Sequence, residues 1–345
     1  IMNCCEVLTA RMPGGLAQVN ILLSTLMGGL SGSSLADAAM QCKMLVPTME
    51  SKGYSKSFST VITAASGMVV PLIPPGVGLI IYGCINNISI GKLFIAGIGP
   101  GIVLCVTLMI FTHFLSKKRG YLPSRTTKIP VSEKIAAVRP AFLPLLLPII
   151  IIGGVRIGVF TASEAGTVAI VYAVLLGLLY KELTLKNVMQ GCKETVTTTA
   201  SIMLIVAAAT CFSWILTKEQ IPQQFSQWMI SNIHNKYVFL IMVNIFLLIV
   251  GMFIEGNASM IVLAPLLHPV AMAYGIDDIH FAMVYIFNCT IGAFTPPMGT
   301  LMFVSCGITK CPTKDFIKEA VPFYILFAID IIVLTYIPQL TTFLV

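Results

Sequence analysis

The apolar stretch 58–85 holds the feature that most restricts the fold. At its centre stands Ser66-Gly67-Met68-Val69-Val70-Pro71-Leu72-Ile73-Pro74-Pro75-Gly76-Val77-Gly78. An apolar run of this length crosses a bilayer when it forms one continuous helix. The three prolines and three glycines in its middle forbid that here. Proline lacks the amide proton a helix needs, and its ring clashes with the carbonyl four residues back. The stretch must therefore be two half-helices joined by irregular backbone. Backbone opened at membrane depth has to be buried in protein or line a watery cavity, because lipid cannot satisfy its N–H and C=O groups.

The feature occurs twice. Adding 222 brings Pro74 and Pro75 onto Pro296 and Pro297, and pairs Pro47 with Pro269, Gly53 with Gly275, Lys92 with Lys314, Phe94 with Phe316 and Pro100 with Pro322. Upstream, an offset of 224 pairs Val19-Asn20-Ile21 with Val243-Asn244-Ile245, and Gly32 with Gly256. Shared prolines, glycines and lysines in one order indicate an internal duplication with a two-residue slip. Paired broken helices in two repeats point to a transporter site near the bilayer midplane.

Composition supports the membrane class. Of 345 residues, 57% are hydrophobic and 10% charged, and the mean hydropathy is +0.93. A soluble domain could not hide that much apolar surface. The apolar runs are long and continuous, unlike the short alternating segments of a barrel. The net charge of +7 lies in loops between spans, which argues against a nucleic-acid partner and for contact with membrane lipid. The ten cysteines show no Cys-x-x-Cys spacing, so neither a disulfide framework nor a zinc site is expected.

The expected organisation is a first repeat over 1–115, with a hairpin at 16–49, a broken helix at 58–85 and a span at 91–115. A basic loop over 116–139 and connecting scaffold spans over 140–194 follow. The second repeat covers 195–345, with a span at 195–216, a hairpin at 238–273, a broken helix at 281–308 and a final span at 320–344. Each hairpin has two half-length arms around a small polar tip and so reads as re-entrant. Thr161-Ala162-Ser163-Glu164 has the form of a capping box. The span at 195–216 has no counterpart ahead of the first hairpin, so an N-terminally truncated chain is expected.

Five crossings separate the two hairpins, and an odd number inverts the second repeat. Loops on the side of the first hairpin then hold 15 Lys and Arg residues, against four on the other side: Lys92, Arg156, Lys218 and Lys236. The positive-inside rule puts the first hairpin on the cytoplasmic side. The fold class expected is an all-α polytopic membrane protein of two inverted repeats.

Hairpin tips brought to broken-helix loops offer two kinds of partner. Unwound carbonyls and helix C-termini suit a small hard cation, while helix N-termini suit a carboxylate. The first cation site is expected from Ser31, Gly32, Ser33, Ser34, Thr63, Ser66 and Pro74. The second is expected from Glu255, Gly256, Asn257, Gly292, Thr295 and Pro296, with Asn288 as a further oxygen donor. Substrate contacts are expected at Ser33, Ser34, Asp37, Asn257, Ala258, Pro75 and Pro297. Few fixed charges suit a Na⁺ site that must fill and empty. No other cofactor is expected.

The motifs Gly32-Ser33-Ser34-Leu35-Ala36-Asp37, Thr63-Ala64-Ala65-Ser66, Pro71-Leu72-Ile73-Pro74-Pro75, Phe160-Thr161-Ala162-Ser163-Glu164-Ala165 and Gly292-Ala293-Phe294-Thr295-Pro296-Pro297 carry a resemblance. The chain resembles, over its whole length, the large membrane subunit (DctM-like) of tripartite ATP-independent periplasmic (TRAP) transporters. The resemblance implies an elevator-type, Na⁺-driven importer of small organic acids in the bacterial inner membrane. C4-dicarboxylates, sialic acid and other sugar acids are the open substrates. It also implies a periplasmic substrate-binding protein and a small membrane subunit (DctQ-like) as partners. Met68, Ala162 and Glu255 depart from what is usual in the family, and Met68 removes a hydroxyl from the first cation site.

Two other classes fit parts of the sequence. An intramembrane hydrolase would use a serine of 31–34 with Asp37 and His268 or His113, but no serine stands in a Gly-x-Ser-x-Gly elbow. A passive channel would share the broken helices but would not exchange substrate in counterflow. An enzyme is not expected.

Overall fold

The computed structural model describes residues 1–123, 125 and 130–345, so Lys128 of the basic loop lies outside the described residues. Helix α1 (Met2–Thr9) leads into a hairpin of α2 (Gly15–Ser31) and α3 (Ser34–Ser51). Helices α4 (Lys56–Gly67) and α5 (Val77–Asn86) are the halves of an interrupted helix, followed by α6 (Ile90–Lys118). Then come α7 (Val131–Arg156), α8 (Ala162–Leu179), α9 (Leu185–Lys218) and α10 (Ile221–Asn232). A second hairpin, α11 (Lys236–Phe253) and α12 (Gly256–Ala273), precedes a second interrupted helix, α13 (Asp278–Gly292) and α14 (Thr300–Thr309). Helices α15 (Thr313–Tyr336) and α16 (Gln339–Thr342) close the chain.

No strand occurs among the described residues. Six helices there are long and apolar enough to cross a membrane. The protein is an all-α polytopic membrane protein.

Local chemistry explains the helix ends. Ser33, Ser55, Ser89 and Asp277 cap α3, α4, α6 and α13 by accepting a backbone N–H bond. Thr161 and Glu164 form a complete capping box on α8. Gly32 ends α2 in the left-handed region, at φ 61°, where a side chain is strained. Helix α4 stops at Gly67 and α5 starts at Val77, with Pro71, Pro74 and Pro75 between them. Helix α13 stops at Gly292 and α14 starts at Thr300, around Pro296 and Pro297. Both Pro–Pro bonds are cis.

Several elements run past the limits expected from sequence. Helix α7 starts at Val131, inside the stretch read as loop, because polarity alone does not end a helix. Residues 131–139 hold no Gly or Pro, and Glu133 favours the helix N-terminus. Helix α9 starts at Leu185, ahead of the expected 195. The hairpin arms have 17 or 18 residues each, longer than half a span. Gly28, Gly29 and Ser31 stay helical in α2 although they read as tip.

The interior is built around the helices that enter the two breaks. Every residue of α4 from Phe58 to Gly67 is buried, as is every residue of α13 from Ile279 to Gly292. Each packs on the first arm of its own hairpin, α4 on α2 and α13 on α11. The helices leaving the breaks pack crosswise: α14 lies on α3 and α4, and α5 lies on α12. By contrast α8 and α9 expose apolar side chains such as Ile170, Leu175, Met203 and Leu204, the surface expected of helices facing lipid or a membrane partner.

Candidate functional site

Each hairpin tip is pressed against its own break. Val77 N–H donates to Gly32 O at 3.4 Å, and a methyl on Gly32 would lie 2.6 Å from Pro75 O. At Gly29 an added methyl would reach Pro74 O at 3.4 Å. In the other half Met298 N–H donates to Met252 O at 3.2 Å. Gly292 meets Gly251 so closely that a methyl on it would sit 2.6 Å from Gly251 Cα. Glycines and prolines at these positions let backbone approach backbone, which leaves carbonyls near the tips in place of side chains.

A cavity of about 190 Å³ lies between the two tips. Its walls include Ser34 and Leu35 of α3, Val77 and Gly78 of α5, Gly256 and Asn257 of α12, and Thr300 of α14. All of these are first-turn residues. Four helix N-termini therefore open onto one cavity. Each brings a partial positive charge and first-turn N–H groups, of which Val77, Ala36, Ala258 and Leu301 are already bonded to Gly32 O, Ser33, Glu255 and Ala293 O. Glu255 is the one acidic side chain on this wall. It is half-buried and caps α12 by accepting from Ala258 N–H at 3.1 Å. Ser33 holds the matching place on α3, accepting from Ala36 N–H at 3.4 Å.

Of the residues expected to bind, the cavity gathers Gly32, Ser33, Ser34, Glu255, Gly256 and Asn257. Ser31, Asp37, Pro74, Pro75, Ala258, Gly292, Thr295, Pro296 and Pro297 are not on its wall. Pro74, Pro75, Gly292 and Ala258 lie immediately behind it, in the contacts just described. Thr295 bonds back to Ile291 O at 2.8 Å within the second break.

Thr63 and Ser66 are fully buried one layer deeper. Thr63 Oγ1 donates to Ser59 O at 2.8 Å and accepts from Asn20 Nδ2 at 2.6 Å. Ser66 Oγ donates to Asn20 Oδ1 at 2.8 Å. Asp37 sits between the arms of the first hairpin, where its Oδ2 accepts from Ser24 at 2.7 Å and from Gln41 at 2.8 Å. The hydrolase constellation is thus not assembled: Asp37 serves Ser24 and Gln41, and His268 faces Tyr82 at 3.3 Å.

The sequence reading missed Thr198, Thr290 and Thr300, whose residues line the cavity. A signal existed for Thr300. It lies 222 residues after Gly78, and the two line the same space, each in the first turn of the helix that leaves its break. Thr198 belongs to α9, outside both hairpin units, and carried no signal.

A family model described as "Tripartite ATP-independent periplasmic transporter, DctM component" matches residues 1–340. The chain belongs to this family of TRAP transporter large permeases. It is 40% identical over 345 residues to the sialic acid TRAP transporter large permease protein SiaM of Vibrio cholerae, covering 100% of this chain and 80% of that protein. It is 36% identical to the C4-dicarboxylate TRAP transporter large permease protein DctM of Pseudomonas aeruginosa, over 98% of this chain and 78% of that one. It is also 32% identical to the isethionate TRAP transporter permease protein DctMQ of Oleidesulfovibrio alaskensis, over 99% and 54% respectively. Family and fold together make the DctM-type chain a transporter subunit and not an enzyme, a multi-pass protein of the bacterial inner membrane.

Proposed function

We propose that this subunit carries a small organic anion inward, coupled to Na⁺. One observation carries the reading: four helix N-termini open onto one cavity that holds a single acidic side chain. Such a cavity favours a carboxylate or sulfonate, which N–H groups can bind without a neutralising Lys or Arg. The carbonyls at Gly32, Pro74 and Pro75 on one side, and at Gly251, Gly292 and Ala293 on the other, are the proposed cation ligands. Ser33, Ser34, Thr63 and Ser66 add oxygen at the first site, and Glu255, Asn257, Thr295 and Pro296 at the second. The two hairpin-and-broken-helix units would be inverted repeats that move together in an elevator manner.

The family supports two partners: a periplasmic binding protein that delivers the substrate and a small DctQ-like membrane subunit that completes the scaffold. Relatives named for sialic acid, C4-dicarboxylate and isethionate share the acid group, so the acid and not the carbon skeleton is proposed as the common recognition element. The test is uptake by the complete complex in proteoliposomes with its binding protein. Uptake is expected to need an inward Na⁺ gradient and no ATP. Undiminished uptake with K⁺ in place of Na⁺ sinks the proposal.

A further inference from the structure

Asn20 and Asn244 lie 224 apart in sequence, each on the first arm of a hairpin. Asn20 Oδ1 accepts from Ser66 Oγ at 2.8 Å, and its Nδ2 donates to Thr63 Oγ1 at 2.6 Å. Asn244 Oδ1 accepts from Asn288 Nδ2 at 2.8 Å, and its Nδ2 donates to Thr335 Oγ1 at 2.9 Å. Ser66 and Asn288 lie 222 apart, each in the last turns of the helix entering a break. Asn20, Ser66 and Asn288 are 0% exposed and Asn244 7%. The same bond, from the same arm to the same level of the broken helix, is thus made twice with different partner chemistry.

We infer that Asn20 and Asn244 are positioning residues that set the rotation of α4 and α13, and so the aim of the carbonyls at the two breaks. A helix turns by about 100° per residue, so a slip of one position swings its last carbonyls off any ligand at the tip. Apolar contacts between α2 and α4, or between α11 and α13, tolerate such slips better than a buried amide does, because each amide must match two partners at once, Ser66 and Thr63 for Asn20, Asn288 and Thr335 for Asn244. In the second unit the bond also fixes an orientation. With Nδ2 of Asn288 held by Asn244 and by Val284 O, its Oδ1 is left buried and without a protein partner, a free acceptor one turn before the break. Ordinary polar glue between helices would strengthen the whole packing, so its loss would not be confined to the break. The claim deepens the proposed cation sites and rests on them for one of its two readouts.

The test uses the purified complex in detergent and the variants Asn20→Ala, Ser66→Ala and Asn244→Ala. The first readout is amide hydrogen exchange. Asn20→Ala and Ser66→Ala are expected to speed exchange at least tenfold at 68–77 only, and Asn244→Ala at 293–301 only, with Tm within a few degrees of wild type. Asn20→Ala combined with Ser66→Ala is expected to add nothing to Asn20→Ala alone, which already removes the Ser66 bond together with the one to Thr63. The second readout is the rise of Tm on titrating Na⁺ alone against K⁺ at constant ionic strength. Half-saturation is expected to move up about tenfold in each single variant. Unchanged exchange at the breaks, or faster exchange spread over whole hairpins with a matching fall in Tm, overturns the inference. A wild-type complex with no Na⁺-specific rise would fail the cation reading instead, and the positioning claim would then stand or fall on the exchange pattern.

Discussion

Gly251 of α11 and Gly292 of α13 meet backbone to backbone. A Cβ built on Gly292 would lie 2.6 Å from Gly251 Cα, and one on Gly251 would lie 2.9 Å from Gly292 Cα. Small residues at helix crossings in membranes allow this approach, where packing replaces the hydrophobic effect as the driving force. Gly292→Ala must push α13 away from the second hairpin. Overpacking of this kind costs about 1–3 kcal/mol. The expected outcome is a lower Tm and a second tip displaced from its break, measured by thermal unfolding in detergent and by cross-linking between positions 252 and 298. An alanine variant with wild-type Tm and cross-linking would show that the crossing relaxes freely.

Gly32 joins two constraints that Gly292 does not. Its φ of 61° is strained for other residues, and an added methyl would lie 2.6 Å from Pro75 O. Either effect alone is of order 1 kcal/mol or more. Gly32→Ala is therefore expected to open the contact between the first tip and the first break. Uptake should fall at least tenfold while the protein still inserts. Gly53 serves as control: its φ of 86° is also left-handed, but nothing lies within 4 Å of an added methyl. Gly53→Ala is expected to cost some stability and leave the substrate concentration for half-maximal uptake unchanged.

Arg119 and Glu319 form an ion pair at 2.5 Å, with side chains 29% and 15% exposed. The guanidinium also lies 5.2 Å from the centre of the Phe58 ring, at the start of α4. This joins the end of α6 to α15 and to the first broken helix. Lysine would keep the charge but lose the flat stacking surface and the fork. Glu319→Gln and Arg119→Lys are each expected to lower stability by about 1–2 kcal/mol, discounted for the partial exposure of the pair. The loss should shrink in high salt for Glu319→Gln. Chemical unfolding at two salt concentrations measures it.

What the sequence disclosed follows from which residues leave a helix no choice. Pro71, Pro74 and Pro75 cluster with Gly67, Gly76 and Gly78, and Pro296 and Pro297 are set between Gly292 and Gly299. That clustering makes the breaks at 68–76 and 293–299 readable in the sequence, whereas lone prolines such as Pro100 in α6 and Pro322 in α15 stay inside helices. The capping box at Thr161 and Glu164 was readable for the same kind of reason. Positions 131–139 were misread as loop because charge correlates with loops without causing them. Asp37 shows a different limit. Its depth near a tip was visible, but whether it faced the cavity or the opposite arm depended on how α2 packs on α3, and Ser24 decides that from 13 residues away. Asn20 reaches Ser66 across 46 residues and Asn244 reaches Asn288 across 44, pairings that no local rule reports. The convergence of four helix starts on one cavity is likewise a product of packing, α5 on α12 and α14 on α3.

Pro296 and Pro297 stand in the seven-residue gap between α13 and α14, where Thr295 N–H turns back to Gly292 O at 3.0 Å and Leu301 N–H reaches Ala293 O at 2.9 Å. That last bond spans eight residues, and within it the carbonyls of 294–298 lie outside the helix ladders of α13 and α14. Replacing both prolines by alanine restores two amide donors and removes residues that each cost about 3 kcal/mol in a helix interior. The chain between Gly292 and Thr300 is then free to wind into helix, and the carbonyls proposed for the cation would turn into helix bonds. The double variant is expected to insert and fold with a Tm at or above wild type, and to lose Na⁺-dependent uptake. The matching change at Pro74 and Pro75 is expected to act in the same way on the first site. If the prolines only shaped packing, uptake would fall in step with Tm. The decisive measurement is the pair of values, Tm in detergent and the Na⁺ concentration for half-maximal uptake, taken on both double variants. Wild-type Na⁺ dependence in a well-folded double-alanine protein would mean that the broken-helix carbonyls do not hold the ion, and the proposed coupling site would have to be sought elsewhere.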